Sequence, residues 1–189
     1  MGERENKMRP LLLTLLILLL GSSAMGQDAA FAEVFGGYTN LGLYPVNNGE
    51  RVSVNGWHSN VSLNLIGFIE LEADLSGHYG SINGRGVNLH TFMFGPRFGY
   101  HGEKVNWFIH NLYGSSRLSG EGNVLTPLIQ VPSDSGFAFV PLGGGFEINV
   151  NKKLSYRVAQ FDLVIANWGV NSGRIHPRFS TGVVFHIGK

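Results

Sequence analysis

The sequence predicts an all-β fold, an eight-stranded antiparallel up-and-down transmembrane β-barrel preceded by a cleavable signal peptide. Three observations predict it. A short apolar stretch behind a basic start directs export, long segments alternate apolar and polar residues with period two, and the links between those segments alternate long and short.

The export segment comes first. Arg4, Lys7 and Arg9 precede an apolar stretch over 11–20 broken only by Thr14, and the small residues Gly21, Ser22, Ser23, Ala24 and Gly26 follow. The stretch is roughly half of the ~20 apolar residues a helix needs to cross ~30 Å of hydrocarbon, so it reads as a signal that is then removed. Ala24 and Gly26 suit the small pockets of a signal peptidase, which places the cut before Gln27, with a cut after Ala24 as the alternative. The expected organisation is therefore 1–26 signal peptide and 27–189 barrel domain.

Composition bounds what that domain does. Removing 26 of 189 residues leaves 163, enough for one domain with a sizeable core. The chain has no cysteine, so neither a disulfide framework nor a lipid-anchored cysteine is available. Of 13 acids, Glu3 and Glu5 go with the signal, and of 14 cations, Arg4, Lys7 and Arg9 go, leaving 11 of each. A balanced charge offers no basic face for nucleic acid. Past the signal nothing approaches a membrane helix, which leaves a closed antiparallel barrel as the way across lipid, because there every backbone group must be paired internally.

Eight segments carry the strand pattern. The first two, 32–40 and 55–65, are weak. The third, 68–79, is the clearest: Ile69, Leu71, Ala73, Leu75, Gly77 and Tyr79 alternate with Glu70, Glu72, Asp74, Ser76 and His78. Soluble strands average only ~5–6 residues and seldom carry three carboxylates on one face, so its length favours a membrane. In 90–101, Phe92, Phe94, Phe98 and Tyr100 face one side, interrupted by Pro96, while Thr91, Met93, Gly95, Arg97, Gly99 and His101 face the other. In 106–117 neither parity is clean, and placing Phe108, His110 and Leu112 inward leaves Trp107, Ile109 and Tyr113 on the lipid. The sixth segment is 136–150. In 154–168, Arg157 and Asp162 have opposite parity, so a β-bulge near Ala159 is expected to return both, with Gln160, to the interior. The last, 175–188, sets Phe179, Thr181, Val183, Phe185 and Ile187 outward against Arg178, Ser180, Gly182, Val184 and His186.

Links and aromatics test this independently. Short links are expected at 65–67, 102–105 and 151–153, and long ones, rich in Gly, Asn and Ser, at 41–54, 80–89, 118–134 and 169–174. Outer-membrane barrels join strands by tight turns inside and longer loops outside. With the N-terminus periplasmic, Trp57, Tyr79 and Trp168 fall at outer strand ends and Tyr100, Trp107 and Tyr156 at inner ends, as aromatic girdles should.

With the strands placed, the chain resembles the OmpA/OmpX-like family of small outer-membrane β-barrels, in particular members described as an outer membrane protein β-barrel domain. The resemblance rests on Glu33-Val34-Phe35-Gly36-Gly37-Tyr38, Gly56-Trp57, Asp74-Leu75-Ser76-Gly77-His78-Tyr79-Gly80, Phe94-Gly95-Pro96-Arg97 and Phe179-Ser180-Thr181-Gly182-Val183-Val184-Phe185. It implies a place in the bacterial outer membrane, contact with outer-membrane lipids and lipopolysaccharide, and delivery to the barrel-assembly machinery through the C-terminal strand. That strand keeps its alternation through Phe185 and Ile187 and ends on Lys189. A periplasmic peptidoglycan-binding domain is not expected after the barrel.

Under this topology Glu33, Glu70, Glu72, Asp74, Glu147 and Asp162 point inward with Arg97, Arg157 and Arg178. A hairpin symmetric about 80–89 sets Glu72 opposite Arg97, and a two-residue slip substitutes Asp74. Arginines threaded among carboxylates make a narrow interior tolerable, since an unpaired charge there costs several kcal/mol. The nine residues are expected to form a structural charge network, with no catalytic, cofactor or metal site. An eight-stranded barrel is only just wide enough for its side chains, so free diffusion of nutrients is not expected. Ser76 and His78 share a face, yet next-but-one strand residues lie ~6.6 Å apart, beyond the ~2.6–3.2 Å a base needs. The seven histidines show no metal-ligand spacing, and Gly143-Gly144-Gly145 marks a bend or close packing within a strand. The expected function is a non-enzymatic surface barrel whose loops meet the environment, a host surface or phage while the barrel supports envelope integrity. The alternatives are an outer-membrane lipid-modifying enzyme and a narrow pore.

Overall fold

In a computed structural model, residues 30–44, 51–82, 85–120, 133–167 and 174–188 are described, and every regular element among them is a strand. The order is β1 (Ala32–Leu43), β2 (Val52–Ile66), β3 (Ile69–Ile82), β4 (Arg85–His101), β5 (Val105–Gly120), β6 (Ser133–Asn151), β7 (Leu154–Ala166) and β8 (Arg174–Ile187). Each pairs antiparallel with the next, and β1 pairs with β8, closing the barrel. The expected signal segment 1–26, the barrel's start at 27–29 and Trp168 lie outside the described residues.

The alternation decides which side of the wall each residue takes. Successive strand side chains point to opposite faces, and here the outward set is exposed and apolar while the inward set is buried and largely polar. On β4, Phe92, Phe94, Phe98 and Tyr100 are exposed while Thr91, Met93, Arg97 and Gly99 are buried. β5 resolves as expected, with Phe108, His110 and Leu112 inside and Trp107, Ile109 and Tyr113 outside. An outer wall made of Leu, Ile, Val and Phe around a polar core inverts the soluble pattern, and suits a hydrocarbon surrounding.

The inner girdle is formed by Tyr100, stacked on Trp107 at a 5.7 Å centroid distance, and by Tyr156, whose hydroxyl lies 3.0 Å from Thr181 Oγ1. At the other end Trp57 Nε1 donates to Tyr79 Oη over 3.2 Å. The β7 bulge is present: register shifts between Arg157 and Gln160 against β8, and Ala159 and Arg157 face Phe146 and Glu147 on β6. It restores Arg157, Gln160 and Asp162 to the interior.

Strands run longer than the pattern suggests, which corrects one link. Residues 80–89 are not a long loop. β3 and β4 stay paired up to Ile82 and Arg85, leaving two residues between them, so the long–short alternation fails at this hairpin. Gly80 and Ser81 have small polar character but pair normally with Val87 and Gly86. The short inner connections fall where expected, and at the β2–β3 turn Gly67 has φ 58°, a left-handed conformation that suits glycine.

Candidate functional site

The lumen is the candidate site, and it is built in two tiers. Alternation on all eight strands delivers the polar side chains of the lower tier. Glu33, Glu70, Glu72, Asp74, Arg97, Glu147, Arg157, Asp162 and Arg178 all point inside, none more than 4% exposed. Six carboxylates therefore share a narrow space with three guanidiniums, and further donors come from histidines, Asn60 and Gln160.

Arg97 stands among four acids. Its Nη2 lies 3.0 Å from Glu33 Oε2 and 3.7 Å from Glu147 Oε1, and its Nε lies 3.1 Å from Glu70 Oε2 and 3.9 Å from Glu72 Oε2. It also donates to Ser62 Oγ. Its cross-strand neighbour is Glu70, not the expected Glu72 or Asp74. The hairpin turns one residue earlier than symmetry about 80–89 requires, which moves the register by two.

Arg178 reaches across the lumen instead. It donates from Nε to Asp162 Oδ2 at 2.8 Å, and its Nη1 and Nη2 hold both oxygens of Asp74 at 3.0 and 2.9 Å. A bidentate guanidinium–carboxylate contact of this kind is strong and geometrically specific. Arg157 donates from Nε to Glu147 Oε1 at 2.9 Å and lies over the Phe35 ring at 4.0 Å. Arg157 and Arg97 share the Phe108 ring, with guanidinium carbons 4.6 and 4.0 Å from its centroid, and both reach Glu147 Oε1, at 2.8 and 3.7 Å. The shared carboxylate offsets their like charge, and the ring attracts both.

The histidines link the arginine clusters. His110 sets Nδ1 3.2 Å from Glu72 and Nε2 2.8 Å from Asp162. His58 Nε2 lies 2.6 Å from Asp74, and His101 Nε2 2.7 Å from Glu70. Gly143 makes room for this: a Cβ there would strike both His110 and Asp162. The triple glycine is thus close packing, as its place in a strand pattern suggested.

Above lies a different tier. Leu41, Leu43, Val54, Val87, Leu89, Met93, Leu112, Leu118, Val140 and Val164 form a buried cluster at the end of the lumen where the longer connections emerge. Inward does not mean polar there.

Two serine–histidine–carboxylate strings were not foreseen. Ser155 Oγ lies 2.6 Å from His186 Nε2, and His186 Nδ1 lies 2.9 Å from Glu33. Ser180 Oγ lies 2.9 Å from His58 Nδ1, which continues to Asp74. Both are buried, and their members serve other partners: Ser155 also donates to Asn149 Oδ1 at 2.6 Å, and Asp74 to Arg178 is bidentate. Ser76 and His78 do not bond each other; Ser76 pairs with Thr91 at 2.6 Å and His78 with Thr39 at 3.3 Å. Among the described residues no group of three or more His, Asp or Glu is arranged to hold a metal ion.

An eight-stranded closed antiparallel barrel is the fold of small OmpA/OmpX-like outer-membrane barrels. Solved structures of that architecture superpose on this chain. The crystal structure of Neisserial surface protein A has a TM-score of 0.64 at 8% identity, covering 85% of this chain and 100% of that one. The crystal structure of Ail, the attachment invasion locus protein of Yersinia pestis, in complex with the heparin analogue sucrose octasulfate has a TM-score of 0.56 at 10% identity, covering 83% and 98%. The backbone structure of the outer membrane protein Ail in a phospholipid bilayer nanodisc gives 0.50 at 11%, covering 84% and 99%. No family model and no curated protein sequence matches the chain. The likeness is therefore one of fold, carried by pattern instead of residue identity.

Proposed function

We propose that the chain is a non-enzymatic bacterial outer-membrane barrel, exported by a signal peptide cut before Gln27, with a sealed lumen and a surface role carried by its outer connections. The filled interior carries this reading. Arg97, Arg157 and Arg178 are buried among carboxylates below, and a largely apolar cluster caps them above. A hydrated ion would have to cross both, and hydrocarbon side chains offer it nothing in exchange for its water. Loops displayed on a rigid scaffold are where binding function concentrates.

The scaffold reading of the nine charged residues follows from their mutual contacts, since each carboxylate already faces a guanidinium or an imidazole. The two serine–histidine–acid strings favour lipid-modifying chemistry by geometry alone. Their burial inside the lumen argues against it, because a nucleophile must reach its substrate.

Planar-bilayer recordings on the purified protein test the seal, with no unitary conductance expected; reproducible channel steps would overturn it. Lipid A mass spectra should be unchanged on overexpression, and a new acylation state would restore the enzyme reading. Mass spectrometry of the mature chain should give Gln27 as its first residue.

A further inference from the structure

With its histidines neutral, the lower tier of the lumen would be short of positive charge. Six carboxylates against three guanidiniums leave three negative charges over, all buried. Buried charge without a counter-charge is costly, so protons on the histidines are the natural counterweight. Donor and acceptor roles show which histidines carry them, starting in each case from an atom whose role is fixed.

At the inner mouth the fixed atoms are the Gly102 and Glu103 carbonyls, which accept from Asn149 Nδ2 at 2.8 and 3.1 Å. Asn149 Oδ1 is therefore an acceptor, and takes the one hydroxyl proton of Ser155 at 2.6 Å. Ser155 Oγ can then only accept from His186 Nε2, 2.6 Å away, so that nitrogen carries hydrogen. His186 Nδ1 lies 2.9 Å from Glu33 Oε1, where a bare nitrogen would set its lone pair against a carboxylate. Both nitrogens of His186 are protonated.

At the β1–β8 seam the fixed atom is the Phe179 carbonyl. It accepts from Thr39 Oγ1 at 3.1 Å, Thr39 accepts from Ser180 Oγ at 3.0 Å, and Ser180 is left to accept from His58 Nδ1 at 2.9 Å. His58 Nε2 stands 2.6 Å from Asp74 Oδ2, and both Asp74 oxygens already receive guanidinium N–H groups from Arg178, as an ionised carboxylate does. His58 therefore carries a second proton. His110 needs no relay, since Nδ1 and Nε2 face Glu72 and Asp162 at 3.2 and 2.8 Å. His101 differs: Nε2 meets Glu70 at 2.7 Å but Nδ1 stands 3.5 Å from Glu33, and one proton satisfies it.

We propose that the lumen is a proton-binding site in which His58, His110 and His186 are held as imidazolium, bringing six carboxylates and three guanidiniums to neutrality. Asp74, His78, Asp162 and Arg178 surround His58, and Glu72 and Asp162 bracket His110, with Arg97 beyond Glu72. Glu33 faces His186, with Arg97 and His101 beyond it. Both serines of the serine–histidine–acid strings direct their protons away from histidine, so neither imidazole has a lone pair with which to act as a base. The proposal rests on the filled-lumen reading above.

Free histidine loses its proton near pH ~6.5, so above about pH 7.5 the unfolded chain lacks three protons that the barrel holds. The state that binds more protons loses ground as pH rises. The test measures urea unfolding of the mature protein from detergent micelles between about pH 7.5 and 9. The folding constant should fall about a thousandfold per pH unit, tenfold for each proton, and about a hundredfold per unit in His110→Gln. His90 is exposed on the outer wall, and His90→Gln should keep the wild-type slope. Nitrogen-15 spectra of the wild type with labelled histidine rings, at about pH 8, need no variant. There both ring nitrogens of His58, His110 and His186 should be of the N–H type. A folding constant that ignores pH, or a bare ring nitrogen on any of the three, would overturn the proposal while leaving the filled barrel intact. Channel steps in planar bilayers would overturn the filled lumen on which it rests.

Discussion

The lower and upper halves of the lumen fill the same cylinder with opposite chemistry. Below, Arg97, Arg157 and Arg178 hold six carboxylates and four histidines in a connected lattice. Above, Leu41, Leu89, Leu112 and their neighbours pack as a soluble core would. The lower half gains specificity, since each guanidinium accepts few arrangements; it is correspondingly intolerant, because removing one partner strands a buried charge. The upper half depends mainly on volume, with His78, Thr91 and His176 buried beside it, and adjusts to a lost methylene by partial collapse.

The difference can be broken experimentally. Arg97→Met leaves Glu33, Glu70, Glu72 and Glu147 facing one another, and should cost about 3–5 kcal/mol in urea unfolding from detergent micelles. A variant as stable as wild type would mean that water already screens the lower half. Leu112→Ala in the upper half should cost about 2–4 kcal/mol by the same measurement. A larger loss than Arg97→Met would invert the comparison. Gly143→Ala pushes a methyl against His110 and Asp162, and should cost about 1–3 kcal/mol while shifting the His110 ring resonances. Unshifted resonances would show that the strand, not the network, gives way. Val61→Leu on the lipid-facing wall should fall within about 0.5 kcal/mol, setting the baseline against which the lumen is judged.

Much of the lower half was legible in the sequence because parity is a strong constraint. Glu70, Glu72 and Asp74 share a face by period two whatever the register, and the opposed parity of Arg157 and Asp162 demanded a bulge. Partners were harder to read. Arg178 meets Asp74 from a strand 104 residues away, and nothing in local spacing encodes which side chains converge across a closed cylinder. The register of β3 against β4 had a signal that composition masked: Asn83-Gly84 between Ile82 and Arg85 favours a two-residue hairpin, while the surrounding Gly, Ser and Asn suggested a loop. His58, Asn60 and Ser62 could also have been placed inside, since they alternate with Trp57, Ser59 and Val61. The upper half was legible only in part: parity placed Met93 and Leu112 inward, whereas Leu41, Leu43, Val54, Val87 and Leu89 fell in segments read as connections. The expectation of polar residues inside fails where Leu41 and Leu43 point inward, because an apolar seal obeys the same period as a lipid-facing wall.

Closure of the barrel by β1 against β8 has a consequence for timing. Ala32 pairs with Ile187, and Leu41 with Arg178, so the first strand made is bonded on one side only to the last. Until β8 is made and pairs, the backbone groups on that side of Ala32–Leu41 have no strand partner within the chain. An unpaired strand edge invites pairing with another molecule. The interval before β8 pairs is therefore when this protein is most exposed to aggregation, through the ten-residue edge Ala32–Leu41 that β8 closes.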